Sequence, residues 1–230
     1  ELTDHLFTMR DYMRWASSEF YRQGLTFGHG FEKPLDEAVY LVLYALDLPW
    51  DWPESYFDTR LTENERAQVA AVIMRRVESR MPAAYITQEA WFCGLPFYVD
   101  ERVLVPRSPI AELIEHRFQP WLGDVEPQAI LDLCTGSACI AIACQYAFPE
   151  ARVAGSDWSQ DALEVARINR SRHGLDQELE LYHSDLFGSI PAQQFDLIVS
   201  NPPYVDAEDM ASLSKEFENE PNMGLAAGED

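Results

Sequence analysis

The stretch Ala129-Ile130-Leu131-Asp132-Leu133-Cys134-Thr135-Gly136-Ser137-Ala138 decides how the chain is read. Its first five residues form a short apolar run interrupted only by Asp132, the pattern of a strand buried on both faces. A turn of small residues follows, then an Ala/Ile-rich segment of helical character from Ala138 to Ala147. A tight loop between a buried strand and a helix lets the backbone approach a ligand at the carboxyl end of the strand. Alone this is a weak signal, because Gly136 is the one glycine left where dinucleotide-binding loops carry three.

The neighbouring segments strengthen it. Arg152 to Ser156 reads as a second strand, Ala162 to His173 as a helix stopped by Gly174, and Leu179 to His183 and Phe195 to Ser200 as two more strands. Such alternation implies a parallel sheet wound with helices. Asp157 ends the second strand, 25 positions after Asp132. A carboxylate there accepts hydrogen bonds from both hydroxyls of a ribose and disfavours a ribose phosphate. Asp185 ends the third strand 28 positions later, placed to meet an exocyclic amine of adenine. Three acidic residues at three successive strand ends form a nucleoside site.

The fourth strand runs straight into Asn201-Pro202-Pro203-Tyr204. Two prolines remove backbone donors and fix φ, so this loop presents carbonyl oxygens in a stiff frame. The Asn201 side-chain oxygen adds an acceptor, and Tyr204 offers a face for stacking. Such a frame takes both hydrogens of a planar NH2 group.

Towards the N-terminus, Ser108 and Pro109 make an N-cap and first-turn pair for a helix through Phe118. Tyr85 to Val105 is rich in aromatic and β-branched residues, with Gly94-Leu95-Pro96 and Asp100-Glu101 as turn signals, and reads as a β-hairpin joining two domains. The first third reads as helices. Leu2, Leu6, Met9, Met13, Ala16 and Phe20 recur at helical spacing, with Thr3 as N-cap and Gly24 as stop. A second helix fits Leu35 to Leu48, and a third opens on the capping box Thr62-Glu63-Asn64-Glu65 and runs to Arg80. Trp15, Phe20, Tyr21, Tyr40 and Tyr44 are expected in the helical core. The expected division is residues 1–84 as a helical domain, 85–106 as the hairpin linker and 107–230 as the nucleoside-binding domain.

Composition bounds the function. Of 230 residues 47% are apolar, which excludes disorder for the bulk of the chain. No apolar run reaches the roughly 18 residues of a membrane span, and the expectation is a cytoplasmic protein. Seventeen basic against thirty-nine acidic residues leave a net charge of −22. That field repels phosphate backbones, so direct nucleic-acid readout is not expected, whereas a basic protein partner suits it. Cys93, Cys134, Cys139 and Cys144 lack the spacing of a zinc site or a disulfide framework and read as apolar filler. No metal site is expected, and His173 and His183 read as surface or turn residues.

The region from about Pro106 resembles the seven-strand, Rossmann-like methyltransferases that use S-adenosyl-L-methionine (SAM), in the branch with an Asn-Pro-Pro-Tyr loop. The whole chain resembles the bacterial protein-glutamine methyltransferases, nearest the branch that modifies the third large-subunit ribosomal protein, L-three. The resemblance rests on Val105-Pro106-Arg107-Ser108-Pro109-Ile110, Leu131 to Ser137, Ser200 to Asp206, and Glu220-Pro221 to Gly224 through Asp230. It implies an α/β fold, a Rossmann-like SAM-dependent domain preceded by a small helical domain and a β-hairpin. It implies that Asp132, Cys134, Thr135, Gly136, Ser137 and Ala138 hold the methionine half of SAM. Asp157 would bind the ribose, Trp158 would lie along the adenine, and Asp185 and Leu186 would recognise that ring. Asn201, Pro202 and Tyr204 would be the catalytic residues, with Pro203 completing the substrate frame and Asn201 also reaching the cofactor.

The reaction implied is methylation of a glutamine side-chain nitrogen, leaving S-adenosyl-L-homocysteine. The partner implied is a basic ribosomal protein, free or within a ribosomal precursor, recognised by the acidic helical domain. The alternatives are the same reaction on a peptide-release factor, amine methylation of a nucleic acid, and a non-catalytic ribosome assembly factor. Two departures stand out. Alanine occupies positions 138 and 111 where the family usually has glycine. The chain also begins at Glu1 and stops at Asp230, where the family continues with three more strands, so the C-terminal strands are expected to be missing from it.

Overall fold

A computed structural model of the chain describes residues 5–28, 30–204, 214–221 and 224. Leu2, Thr3 and the motif residues at 205–209 and 225–230 lie outside them. By backbone contacts the chain divides into two compact units, Glu1–Thr87 with Ser214–Asn219, and Gln88–Leu213 with Glu220–Asp230.

The first unit is helical. Helix α1 spans Met9–Arg22 and opens on a capping box: Thr8 Oγ1 accepts the Asp11 N–H, and Asp11 returns a carboxylate oxygen to the Thr8 N–H. This box overrides the apolar spacing, so the helix starts at Met9 rather than near Thr3, and Leu6 is buried from an irregular segment. Helix α2 covers Pro34–Ala45, shorter than expected because Asp47 turns left-handed at φ 55°. Helix α3, Glu63–Ser79, has the expected Thr62–Glu65 box and ends at the left-handed Arg80. A short helix α4 spans Ala83–Thr87, where the hairpin was expected to begin. Tyr12, Phe20, Leu41, Val42 and Ile73 pack the core, whereas Tyr21 and Tyr44, also expected there, are exposed.

Within that core lies a buried ion cluster. Arg76 Nε donates to Glu37 at 2.6 Å and Nη2 to the Thr26 carbonyl at 3.1 Å. Glu216, from the far end of the chain, accepts the Thr26 N–H at 3.1 Å and an Arg80 N–H at 3.3 Å, and sits 3.6 Å from Arg76 Nη1. Burial alone would raise the Glu216 carboxyl pKa, but the Thr26 hydrogen bond and the two arginines hold it below its ordinary value. The cluster ties Ser214–Asn219 into the helical unit.

The second unit begins with a hairpin of β1 (Ala90–Phe92) and β2 (Leu95–Phe97), antiparallel. Helix α5, Ile110–Glu115, ends before Phe118 because Arg117 and Phe118 both adopt positive φ. Then come β3 (Ala129–Leu133), α6 (Cys139–Ala147), β4 (Arg152–Asp157), α7 (Gln160–Arg172), β5 (Leu179–His183) and β6 (Leu197–Ser200). The four strands form a parallel sheet in the order β5-β4-β3-β6. Every residue of β3 is buried, and α6 is buried from Cys139 to Gln145. Cys139 and Cys144 are filler within it, and burial raises their thiol pKa values, that of Cys139 to about 12. The chain adds β4 and β5 on one side of β3 and then returns to place β6 on the other. The carboxyl ends of β3 and β6 therefore flank the crevice at which such sheets bind ligands. Among the described residues no helix is long and apolar enough to cross a membrane.

Candidate active site

The loop leaving β3 is built on alternating left-handed residues, Cys134 (φ 60°), Gly136 (φ 54°) and Ala138 (φ 64°). This conformation is open to glycine and costly for residues with a Cβ. Thr135 is buried, with its N–H on the Ser156 carbonyl at 2.9 Å and its hydroxyl donating to Asp132 at 2.6 Å. Gly155 on β4 admits it: a Cβ there would stand 2.8 Å from Thr135 Oγ1. Asp132 takes a second hydrogen bond from the Ala141 N–H at the start of α6, while its other oxygen, Oδ1, is buried without a partner. Burial dominates, opposed by those two hydrogen bonds and assisted by the charge of Asp157, and pushes the Asp132 carboxyl up to about 7.

Asp157 closes the loop from β4. One of its oxygens accepts the Gly136 N–H and the other the Ser159 N–H, both at 2.8 Å. Each oxygen retains a lone-pair direction for a ligand hydroxyl. Ser200, at the end of β6, donates its hydroxyl to the Leu133 carbonyl at 2.9 Å and so ties the two loop origins together.

These elements border a cavity of about 780 Å3, within the size range of small-molecule sites. Of the expected residues, Cys134, Thr135, Gly136, Ser137, Asp157, Trp158 and Asp185 line it, and Asn201 and Pro203 join them from the β6 loop. Asp132 and Ala138 do not; both are fully buried and shape the loop from behind. Leu186, Pro202 and Tyr204 also lie off the lining, Leu186 and Tyr204 with exposed side chains. Trp158 is exposed along one face, its ring 5.8 Å from that of His183. Asn201 has no side-chain hydrogen bond among the described residues.

Sequence reasoning missed one wall altogether. Glu101 through Ser108 lines the cavity as a strap. It is held by a bidentate ion pair from Arg107 to buried Glu220 at 2.6 and 2.7 Å, and Glu220 also accepts the Val105 N–H. Arg102 bonds to Asp100 at 2.7 Å and to Glu164 on α7 at 2.8 Å. The signal was the Val105–Ile110 run, quoted above as a resemblance and given no contact of its own. Asn169 was missed as well, although a polar residue in register with Ala162, Val165 and Ala166 on a buried helical stripe is itself a signal.

A parallel sheet in the order β5-β4-β3-β6, with the Cys134–Ser137 and Asn201–Pro203 loops on one cavity, has the Rossmann-like architecture of a methyltransferase domain. Consistent with this, residues 117–227 match the methyltransferase small domain family. The ribosomal protein uL3 glutamine methyltransferase of Burkholderia pseudomallei (strain K96243) is 51% identical over 231 residues, covering 97% of this chain and 75% of that protein. The protein of the same name from Xanthomonas campestris pv. campestris is 50% identical, covering 99% of this chain and 73% of its own length. The ribosomal protein L11 methylase of Lactobacillus delbrueckii subsp. bulgaricus is a solved structure with 26% identity, covering 53% of this chain and 59% of that one at a TM-score of 0.33. The chain belongs to the ribosomal protein uL3 glutamine methyltransferase family and spans about three quarters of the length of these two relatives.

Proposed function

We propose that this chain methylates the side-chain amide nitrogen of a glutamine in ribosomal protein uL3, with SAM as donor. The observation that carries this reading is the single cavity bordered by both the Cys134–Ser137 loop with Asp157 and the Asn201–Pro203 frame. The residues present suit SAM: a carboxylate at the strand end for the ribose, an aromatic ring at Trp158, a second acid at Asp185 and a turn without a side chain at Gly136. When bound, SAM supplies an electrophilic methyl carbon, whose sulfur keeps the bonding pair and leaves as the neutral thioether of S-adenosyl-L-homocysteine.

The difficulty lies with the acceptor, since an amide nitrogen delocalises its lone pair into the carbonyl. Asn201 Oδ1 and the Pro202 carbonyl accept the two amide hydrogens, which fixes the NH2 plane and favours positive charge as it develops on nitrogen. Holding both partners in line contributes about 7–11 kcal/mol in favourable cases. One amide hydrogen then leaves as a proton to solvent. The roles of Pro202 and of Tyr204 beside the target follow from the resemblance, because neither side chain lines the cavity.

The helical unit is the candidate for recognising the protein substrate, in the cytoplasm where ribosomal proteins are made. Its charge is not the reason. Residues 1–87 hold nine basic and fourteen acidic side chains, a net −5, against eight and twenty-five, a net −17, in residues 88–230. The attraction for a basic partner is therefore concentrated in the methyltransferase unit.

The test offers methyl-labelled SAM to the protein with unmethylated ribosomal proteins, release factor, RNA and DNA together. Label is expected on uL3 alone and lost when its target glutamine is replaced by alanine. Label on release factor or nucleic acid would overturn the substrate, and no label with no SAM binding would overturn the reaction.

A further inference from the structure

Asn169 sits on the buried side of α7 with no exposed surface. Its carboxamide makes three hydrogen bonds, all to backbone outside its own helix. Oδ1 accepts the Tyr98 N–H at 2.7 Å, and Nδ2 donates to the Tyr98 carbonyl and to the Ser137 carbonyl, each at 2.9 Å. Ser137 belongs to the loop that lines the cavity, and Tyr98 begins the segment that becomes the Glu101–Ser108 wall. One side chain thus grips two walls of the cavity through their main chains. The strap has a second hold on the same helix, Arg102 on Glu164, but that pair is partly exposed and touches nothing in the loop.

We infer that Asn169 is a positioning residue for the cofactor: it couples the Cys134–Ala138 loop to the strap, so that ordering one by ligand orders the other. The inference rests on the reading of this cavity as the SAM site. A purely apolar residue would suit the stripe of Ala162, Val165 and Ala166. A fully satisfied buried amide instead selects a single arrangement of the groups it joins. If ligand and strap are coupled, the coupling is reciprocal, and SAM bound against the loop must stabilise the Tyr98 hydrogen bonds. A merely structural asparagine would support the fold and leave no such link.

Amide hydrogen exchange and SAM titration on the same protein separate these cases. In the wild type, SAM is expected to slow exchange at the Tyr98 amide, which lies outside every helix and strand, together with that of Gly136. Asn169→Asp keeps the acceptor for the Tyr98 N–H and loses both donations. It is expected to weaken SAM binding by about tenfold or more and to abolish the SAM-dependent slowing at Tyr98 while that at Gly136 persists. Leu179→Ala, buried on β5, is the control that lowers stability without touching either wall, and should bind SAM as the wild type does. Wild-type protein that binds SAM with Tyr98 exchange unchanged overturns the inference, whether or not the variant folds. So does Asn169→Asp binding SAM as tightly as the wild type. Wild-type protein that does not bind SAM overturns the cofactor reading itself, and the inference falls with it.

Discussion

The loops that leave β3 and β6 start one hydrogen bond apart, at the Leu133 carbonyl and the Ser200 hydroxyl, yet they are built on opposite plans. In the first, Thr135 and Ser137 are buried and held by Asp132, Ser156 and Asn169, while the Gly136 N–H is taken by Asp157. In the second, Asn201 keeps its carboxamide unengaged among the described residues, and Pro202 and Tyr204 face outward. The first loop spends its polar groups on itself and offers a preset shape. The second withholds them and relies on proline for stiffness. That is the division expected when one ligand is always the same small molecule and the other arrives as a side chain on a large partner. Preorganisation lowers the ordering cost for the first, and open acceptors serve the second.

The sharpest way to break this contrast is at Asn201. Asn201→Ala should lower methyl transfer by about 10²–10³-fold and leave SAM binding within about twofold, because the residue supports no part of the first loop. Transfer at the wild-type rate would remove Asn201 from the chemistry. Asp157→Ala is the mirror image. It strips two N–H groups of their acceptor together with the proposed ribose contact, and calorimetry should show SAM affinity down by about 100-fold. Turnover extrapolated to saturating SAM should fall far less.

A third measurement probes the burial behind the first loop. Burial pushes the Asp132 carboxyl up to about 7 in the folded protein, against about 3.9 in an unfolded chain. The native state thus binds the proton more tightly. Its contribution is complete below about pH 4 and is lost as pH rises towards 7, roughly 2–4 kcal/mol in all. Asp132→Asn keeps an acceptor for Thr135 and Ala141, so the stability difference between variant and wild type should grow in the variant's favour across that window. A flat difference in denaturant midpoints would mean that Asp132 is not titrating there. The smallest effect lies at Ala138, left-handed at the first turn of α6 with no side-chain cap. Ala138→Gly relieves that strain and should stabilise the protein by about 0.5–1 kcal/mol, read as a rise in melting temperature. A loss of stability would show that the alanine methyl is packed to advantage.

Much of this was written locally. The alternation of strands and helices from Ala129 onward, the loop at Gly136 and the placing of Asp157, Asp185 and Asn201 all follow from periodicity and turn chemistry over short windows. What escaped were features fixed by partners far away in sequence. The start of α1 was set by a four-residue box at Thr8–Asp11 that outcompeted a longer apolar pattern. The strap wall depends on Glu220, 113 positions from Arg107, and no local pattern announces such a pair. The resemblance implies that Asp132 and Ala138 help to hold SAM, and the structure buries both behind the loop, off the cavity lining. Sequence spacing locates a turn but does not say which side of it faces the cavity.

The Glu216 cluster has a consequence in time. Glu216 lies 190 residues beyond Thr26, whose N–H it accepts, and it helps neutralise the fully buried Arg76. On a ribosome adding about 5–20 residues per second, the end of α3 emerges roughly 7–27 seconds before the carboxylate that completes the core. Until then, among the described residues, Glu37 is the acidic partner left to the buried Arg76 guanidinium, and removing one member of such a cluster is strongly destabilising. The core of the helical unit thus waits for a carboxylate that is made only after the loop that carries Asn201.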